Sequence, residues 1–312
     1  MITTVAAAAG GLVLLIVGSG RFVAGAAGLS LRFGVPPVVI GGVVVGFGTS
    51  APELLASTLA AAAGSHDIAF GNVVGSNIAN LTLVLGAVAL VARPVIASGV
   101  LRREVPVMVA AMISLTVVLP RLGRAIGIVL LVLFAAAMAV MLRITSGQEA
   151  DQLGEETERE LHRHAPRSMV NLTALTLGGL VATVLGAHLL VSGARSLADV
   201  LHLGEGLVGF TLVAVGSSLP EIVTGIQAAR RDEPDLAIGN VLGSNVFNSL
   251  AVAGVATVVS PGAVSVGLTR ASWVMLGTGA IVWLLMWTAR RLERWEAVAL
   301  FAVYAATIPI VA

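Results

Sequence analysis

The sequence predicts an all-α integral membrane protein: ten transmembrane helices arranged as two inverted repeats of five. Three observations predict it. Hydrophobic residues fill 57% of the 312 positions and charged ones 11%, about half the charged share of a soluble domain. The apolar runs are long and continuous rather than short and alternating, which selects helices over a β-barrel. One short polar signature occurs twice, 168 residues apart, inside apolar sequence both times.

Breaks at charged or Pro/Gly clusters place the spans at roughly 3–29, 36–64, 67–92, 104–119, 122–142, 169–198, 206–229, 235–259, 271–289 and 295–311. The first opens on Met1–Leu15, which resembles a signal-peptide core. It lacks a basic start and a cleavage signal, and its apolar character runs on to Leu29, so it is read as a membrane helix. Spans two and seven carry the polar signature, and spans three and eight carry its continuation. After span five, Arg143 to Arg167 is hydrophilic, with Glu149, Asp151, Glu155, Glu156, Glu158 and Glu160. It is too short for a folded domain and reads as a solvated linker. The expected organisation is therefore a first repeat over 1–142, a linker over 143–168 and a second repeat over 169–312.

The duplication reaches beyond the signature. At the same offset Gly11 matches Gly179, Gly18 matches Gly186, Gly25 matches Gly193 and Gly41 matches Gly209. Residues 67–82 and 235–250 share Asp67, Ala69, Gly71, Asn72, Val73, Gly75, Ser76, Asn77 and Asn80 without a gap. Five spans per half is an odd number, so the second copy enters the membrane from the opposite side. The basic residues, all arginine, fix the orientation. With the N-terminus outside, thirteen arginines fall in cytoplasmic loops and four in external ones. The expectation is a multi-pass plasma (inner) membrane protein with both termini outside and the 143–168 linker cytoplasmic. Inverted repeats with a site at the midplane are a plan of many secondary transporters.

The first signature reads Gly48-Thr49-Ser50-Ala51-Pro52-Glu53, then Gly71-Asn72-Val73-Val74-Gly75-Ser76-Asn77-Ile78-Ala79-Asn80. The second reads Gly216-Ser217-Ser218-Leu219-Pro220-Glu221, then Gly239-Asn240-Val241-Leu242-Gly243-Ser244-Asn245-Val246-Phe247-Asn248. Glu53 and Glu221 are the two acidic residues well inside spans. An intramembrane carboxylate costs roughly 2.5 kcal/mol or more, so a symmetric pair points to one shared ion site. Pro52 and Pro220 remove a backbone donor, which frees carbonyls near Gly48 and Gly216; such oxygens beside a carboxylate are hard-cation ligands. Thr49 and Ser50 lie four and three residues before Glu53, on the same helical face, and Ser217 and Ser218 repeat this for Glu221. Ser76 with Asn80, and Ser244 with Asn248, are spaced i, i+4 and offer two oxygens to one point. Asn72, Asn77, Asn240 and Asn245 are expected to tie helices together. His188, the one histidine within a span, has no partner histidine and is assigned to packing.

The combined inventory of carboxylate, hydroxyl, amide and backbone oxygen suits Na⁺, Ca²⁺ or Mg²⁺ rather than zinc or copper. With no cysteine in the chain, disulfides, thiolate metal sites and Cys nucleophiles are excluded. No HExxH and no Ser–His pairing is visible, so an enzyme is not expected. A Ca²⁺/H⁺ antiporter using the same glutamates and a cation channel gated at them are the rival readings.

The paired signature resembles the calcium/cation antiporter superfamily, specifically its sodium/calcium exchanger family, whose two α-repeats carry G-T/S-S-x-P-E followed by G-N-x-x-G-S-N-x-x-N/D. The resemblance covers essentially the whole chain. It implies a secondary active antiporter exchanging calcium for sodium by alternating access, with spans one and six sliding over a bundle that holds the ions. It implies a cation cluster built by spans two, three, seven and eight, in which Glu53 and Glu221 hold Ca²⁺ and share Na⁺. Thr49, Ser50, Ser76, Ser217, Ser218 and Ser244 would supply oxygens mainly to Na⁺, and Asn80 and Asn248 would complete the centre. It implies no cofactor beyond the transported ions and no obligatory protein partner. Many exchangers place aspartate at one of the last two positions, whereas here both are asparagine. Two ionised glutamates balance one Ca²⁺ or two Na⁺; three Na⁺ leave the site at +1.

Overall fold

The structure, a computed structural model, describes residues 2–34, 46–92, 98–144, 168–230, 234–289 and 292–311. Among them the regular elements are all helical. In chain order they are α1 (Ile2–Arg32), α2 (Gly46–Thr49), α3 (Ala51–Ala62), α4 (His66–Ala92), α5 (Ser98–Val118) and α6 (Arg124–Ile144). After 145–167, α7 (Met169–Leu201) opens the second half. It is followed by α8 (Glu205–Ser217), α9 (Leu219–Arg230), α10 (residues 234–259), α11 (Val266–Ala289) and α12 (Arg294–Val311).

Eight helices of the described residues are long and apolar enough to cross a membrane, and α8 with α9 makes a ninth if that bent pair is one span. The expected span 36–64 is described only from residue 46, where it is the short α2 followed by α3. The expected linker lies almost wholly outside the described residues. The largest boundary shifts are in α5, which begins at Ser98 rather than 104, and α11, which begins at Val266 rather than 271. α1 and α7 each run three residues further, to Arg32 and to Leu201, where His202 adopts a left-handed conformation that ends the helix.

Two kinds of helix are present. α4 and α10 are buried over 83% of their most apolar stretches, against 28% for α1 and 33% for α7. The buried helices are enclosed on every face, and their polar residues, Asn72, Ser76 and Asn80 on α4 and Ser244 and Asn248 on α10, are buried with the apolar ones. Each is interrupted at the same place by a turn of π-helix, Asn80–Val84 in α4 and Phe247–Val252 in α10. α8 has a third, Gly209–Val213, where the Tyr304 hydroxyl on α12 donates to the Phe210 carbonyl at 3.1 Å and its ring stacks on Phe210.

α1 and α7 pack antiparallel along almost their full length. Gly11, Gly18 and Gly25 of α1 face the backbone of α7, and Gly179, Gly186 and Gly193 of α7 face that of α1. A Cβ at Gly18 would lie 2.6 Å from the Thr183 nitrogen, and one at Gly193 2.7 Å from the Ala8 nitrogen. Only glycine permits that approach, and small residues are what bring helix backbones together in lipid. α1 also leans on both signature loops: Val23 lies against Gly48 and Leu12 against Gly216. His188, expected to pack, is on the outward face of α7 instead.

The helix ends on one side are tied by side chains. Ser65 donates to Glu205 at 3.1 Å, Arg195 pairs with Glu205 at 3.7 Å and donates to the Ala63 carbonyl at 3.2 Å. His66 meets the Ser260 hydroxyl at 3.1 Å, and the Ser265 backbone donates to Asp67 at 2.8 Å. These bonds gather α3, α4, α7, α8, α10 and α11 around the polar centre.

Candidate functional site

Both signature helices break where the proline requires it. Pro52 has no N–H for the Gly48 carbonyl and Pro220 none for that of Gly216. The chain leaves helical geometry at Ser50 (φ −90°, ψ 8°) and Ser218 (φ −84°, ψ 3°). It then restarts with proline in the first turn, where a missing N–H costs nothing. The new ladders begin with Leu54 N–H to Ser50 O and Ile222 N–H to Ser218 O, each 3.1 Å. α8 and α9 are bent by 40° at this point. The expectation of one continuous face for Thr49, Ser50 and Glu53 is therefore corrected. The hydroxyls end one helix, or sit in the break, and Glu53 begins the next. The same holds for Ser217, Ser218 and Glu221. The break turns the hydroxyls and the glutamate of each half inward, toward the other half of the molecule.

The resulting bonds are reciprocal. Ser218 of the second signature donates to Glu53 Oε1 at 3.1 Å, and Ser50 of the first donates to Glu221 Oε1 at 3.3 Å. The Ser50 and Ser244 hydroxyls lie 3.0 Å apart, and with the Ser50 proton on Glu221 it is Ser244 that donates. Ser217 donates to Asn72 Oδ1 at 3.1 Å, and Thr49 to Asn240 Oδ1 at 3.4 Å. The two carboxylates lie near enough to repel each other when both are ionised.

Glu53, Glu221, Ser50, Ser76, Asn80, Ser217, Ser218 and Asn248 have no exposed surface, Ser244 has 2%, and Thr49 is half-buried. Several of their polar atoms have no hydrogen-bond partner among the described residues: Oε2 of Glu53 and of Glu221, and both side-chain polar atoms of Asn80 and of Asn248. A buried polar group without a partner is costly. Two half-satisfied carboxylates and two unsatisfied amides, brought together by α3, α4, α9 and α10, form an oxygen-rich centre suited to a hard cation. The π turns explain the asparagines. Asn80 opens the turn in α4 and Asn248 lies in the first two residues of that in α10, and the extra residue of a π turn re-aims side chains within an otherwise regular helix.

All ten residues singled out in the sequence contribute to this region. Asn72 and Asn240 tie helices as expected, each accepting from a signature hydroxyl of the other half, whereas Asn77 bonds back to the Val73 carbonyl of its own helix. The sequence reading missed the role of Ser57. Ser57 is bonded to Asn72 at 2.8 Å, and its spacing of four from Glu53 was the available signal.

Comparison with known proteins agrees with this geometry. The chain matches the family described as sodium/calcium exchanger protein twice, over residues 3–143 and 171–311. It is 36% identical to the inner membrane protein YrbG of Escherichia coli K12, covering 89% of this chain and 86% of that one. It is 29% identical to the sodium/calcium exchanger MaX1 of Methanosarcina acetivorans, over 96% of both. Its structure superposes on that of the sodium-calcium exchanger NCX_Mj, soaked with Na⁺ and Sr²⁺, with a TM-score of 0.67, 28% identity and coverage of 99% and 98%. A polar signature repeated in both halves, a buried carboxylate pair bonded across them and a family match that itself falls on each half agree: this chain belongs to the sodium/calcium exchanger protein family.

Proposed function

We propose that the chain exchanges Ca²⁺ for Na⁺ by alternating access at a site near the bilayer midplane. Membership of an exchanger family makes it a multi-pass membrane transporter of these cations. The coupling ion, the site and the mechanism are the reading advanced here. The observation that carries it is the pair Glu53 and Glu221, fully buried, each bonded on one oxygen by a serine of the other half and, among the described residues, unpaired on the other.

In this reading Ca²⁺ and Na⁺ compete for the same two carboxylates. Thr49, Ser50, Ser76, Ser217, Ser218 and Ser244 supply neutral oxygens, mainly to Na⁺, and Asn80 and Asn248 complete the centre. A site without cargo leaves two buried carboxylates repelling each other. That penalty disfavours the empty transition and couples the two fluxes. The mobile part is α1 with α7, sliding across the bundle. The long uninterrupted helices, their small-residue contact and the lean of Val23 and Leu12 on the two signature loops support it. The arrangement is ten spans in two inverted repeats, with both termini outside and 143–168 cytoplasmic, supported by the arginine distribution and by the reciprocal bonds. The hydroxyl set favours Na⁺ over H⁺ as driving ion, since a proton needs no oxygen cage.

The test is ⁴⁵Ca²⁺ uptake into proteoliposomes loaded with Na⁺, with K⁺ or with an acid interior. Uptake only against outward Na⁺ is expected. Uptake driven by the proton gradient alone overturns Na⁺ coupling, and an ohmic, non-saturable current overturns exchange.

A further inference from the structure

Asn72 is fully buried on α4 and all of its hydrogen-bonding positions are used. Its Oδ1 accepts from Ser217 at 3.1 Å and from Ser76 at 3.4 Å. Its Nδ2 donates to Ser57 at 2.8 Å and to the Glu53 carbonyl at 3.3 Å. Ser57 in turn donates to the Ala69 carbonyl at 3.1 Å.

The far end of this chain sets its direction. A backbone carbonyl only accepts, so Ser57 gives its single proton to Ala69 and meets Asn72 through a lone pair. Asn72 therefore presents N–H to Ser57, and its carbonyl oxygen faces the two serines. This fixes which way the amide points. Ser76 and Ser217 then give their protons to Asn72. A hydroxyl binds a cation through its lone pairs, and those are turned toward the centre only when the proton is taken elsewhere. Ser217 has the Ala214 carbonyl as a second acceptor at 3.3 Å and the Glu53 carboxylate as a third neighbour. With a cation on Glu53, Asn72 and Ala214 remain to take that proton. Ser76 has Asn72.

We propose that Asn72 is a positioning residue for Na⁺, turning the lone pairs of Ser76 and Ser217 toward the ion, and that Ser57 locks it in that orientation. The inference rests on the Na⁺/Ca²⁺ reading above, in which Ca²⁺ is held chiefly by the two carboxylates and Na⁺ leans more on neutral oxygens. Among the described residues this lock belongs to the first half. Asn240 takes the Thr49 proton at 3.4 Å, but the position equivalent to Ser57 is Gly225, which offers no hydroxyl to hold the amide.

Two variants test this in proteoliposomes, Asn72→Leu and the milder Ser57→Ala, which removes one oxygen and keeps the helix. Half-saturating Na⁺ and half-saturating Ca²⁺ are each measured from ⁴⁵Ca²⁺ flux. Ser57→Ala is expected to raise the Na⁺ value about three- to tenfold, the factor one neutral hydrogen bond supplies. The Ca²⁺ value should stay within about twofold, since the carboxylates are untouched. Equal shifts for both ions indicate a packing role and overturn the proposal, as does no shift in Ser57→Ala. If the wild-type protein itself shows no Na⁺-driven uptake, the Na⁺ reading fails first and this inference with it.

Discussion

The centre of the molecule and its glycine-lined flank are built on opposite principles. In α3, α4, α9 and α10 the helices are broken or carry π turns, and polar side chains bond across the two halves. In α1 and α7 the helices run unbroken for 31 and 33 residues and meet through glycines. Directional hydrogen bonds lock one geometry, whereas small residues in lipid let two helix backbones approach and pack by van der Waals contact alone. The centre holds polar atoms in register across the two halves, and the flank holds two long helices together as one unit.

Removing charge from the centre gives the largest effect. Glu53→Gln or Glu221→Gln keeps the serine bond but loses half the charge that answers Ca²⁺, and ⁴⁵Ca²⁺ exchange should fall to the level of empty liposomes. Exchange retained in either variant breaks the assignment. Next comes the flank. Gly186→Val drives a Cβ into the Leu15 backbone, an overpacking strain of about 1–3 kcal/mol, and should cut flux roughly tenfold while equilibrium Ca²⁺ binding to detergent-solubilised protein is kept. Loss of binding together with flux would show that flank and centre are not separable. Asn248→Asp adds a third carboxylate to the centre and should tighten half-saturating Ca²⁺ about fivefold, its attraction for the ion being largely offset by repulsion from the two glutamates. Unchanged Ca²⁺ affinity would place Asn248 outside the ion's reach. The smallest effect is Ser76→Ala, which removes one neutral oxygen and should raise half-saturating Na⁺ about threefold; an unchanged value would place Ser76 outside the ion's reach.

The centre was legible because a carboxylate in an apolar span demands a reason, and Glu53 and Glu221 supplied two at matching places. The glycines at 11, 18 and 25 and at 179, 186 and 193 were visible as repeats, but nothing in a linear pattern says that they face each other. The break at Ser50 and Ser218 was half visible. Proline marked it, yet i, i+3 and i+4 spacing suggested a continuous face that the backbone does not keep. The π turns were invisible, because α4 and α10 are enclosed on all sides and have no one-sided apolar stripe for an extra residue to disturb. Ser57 was passed over for a related reason: a lone serine in a membrane helix usually bonds back to its own turn, and only the fold shows it reaching Ala69 and Asn72.

The π turn at Asn80–Val84 makes the chain sensitive to length in a way no substitution reveals. Deleting a single residue there, Leu81 for example, would let α4 relax to a regular α-helix. The π turn holds one residue more than an α turn, so losing it would leave the two flanking stretches of α4 in register. Ile78 and Ala79 before it and Leu85, Val88 and Ala89 after it, now buried against the bundle, would keep their neighbours, while Asn80 would lose the aim that the wide turn gives it. Such an interruption is therefore kept by chain length as much as by residue identity, and a one-residue deletion would change the aim of one polar side chain while sparing the apolar packing around it.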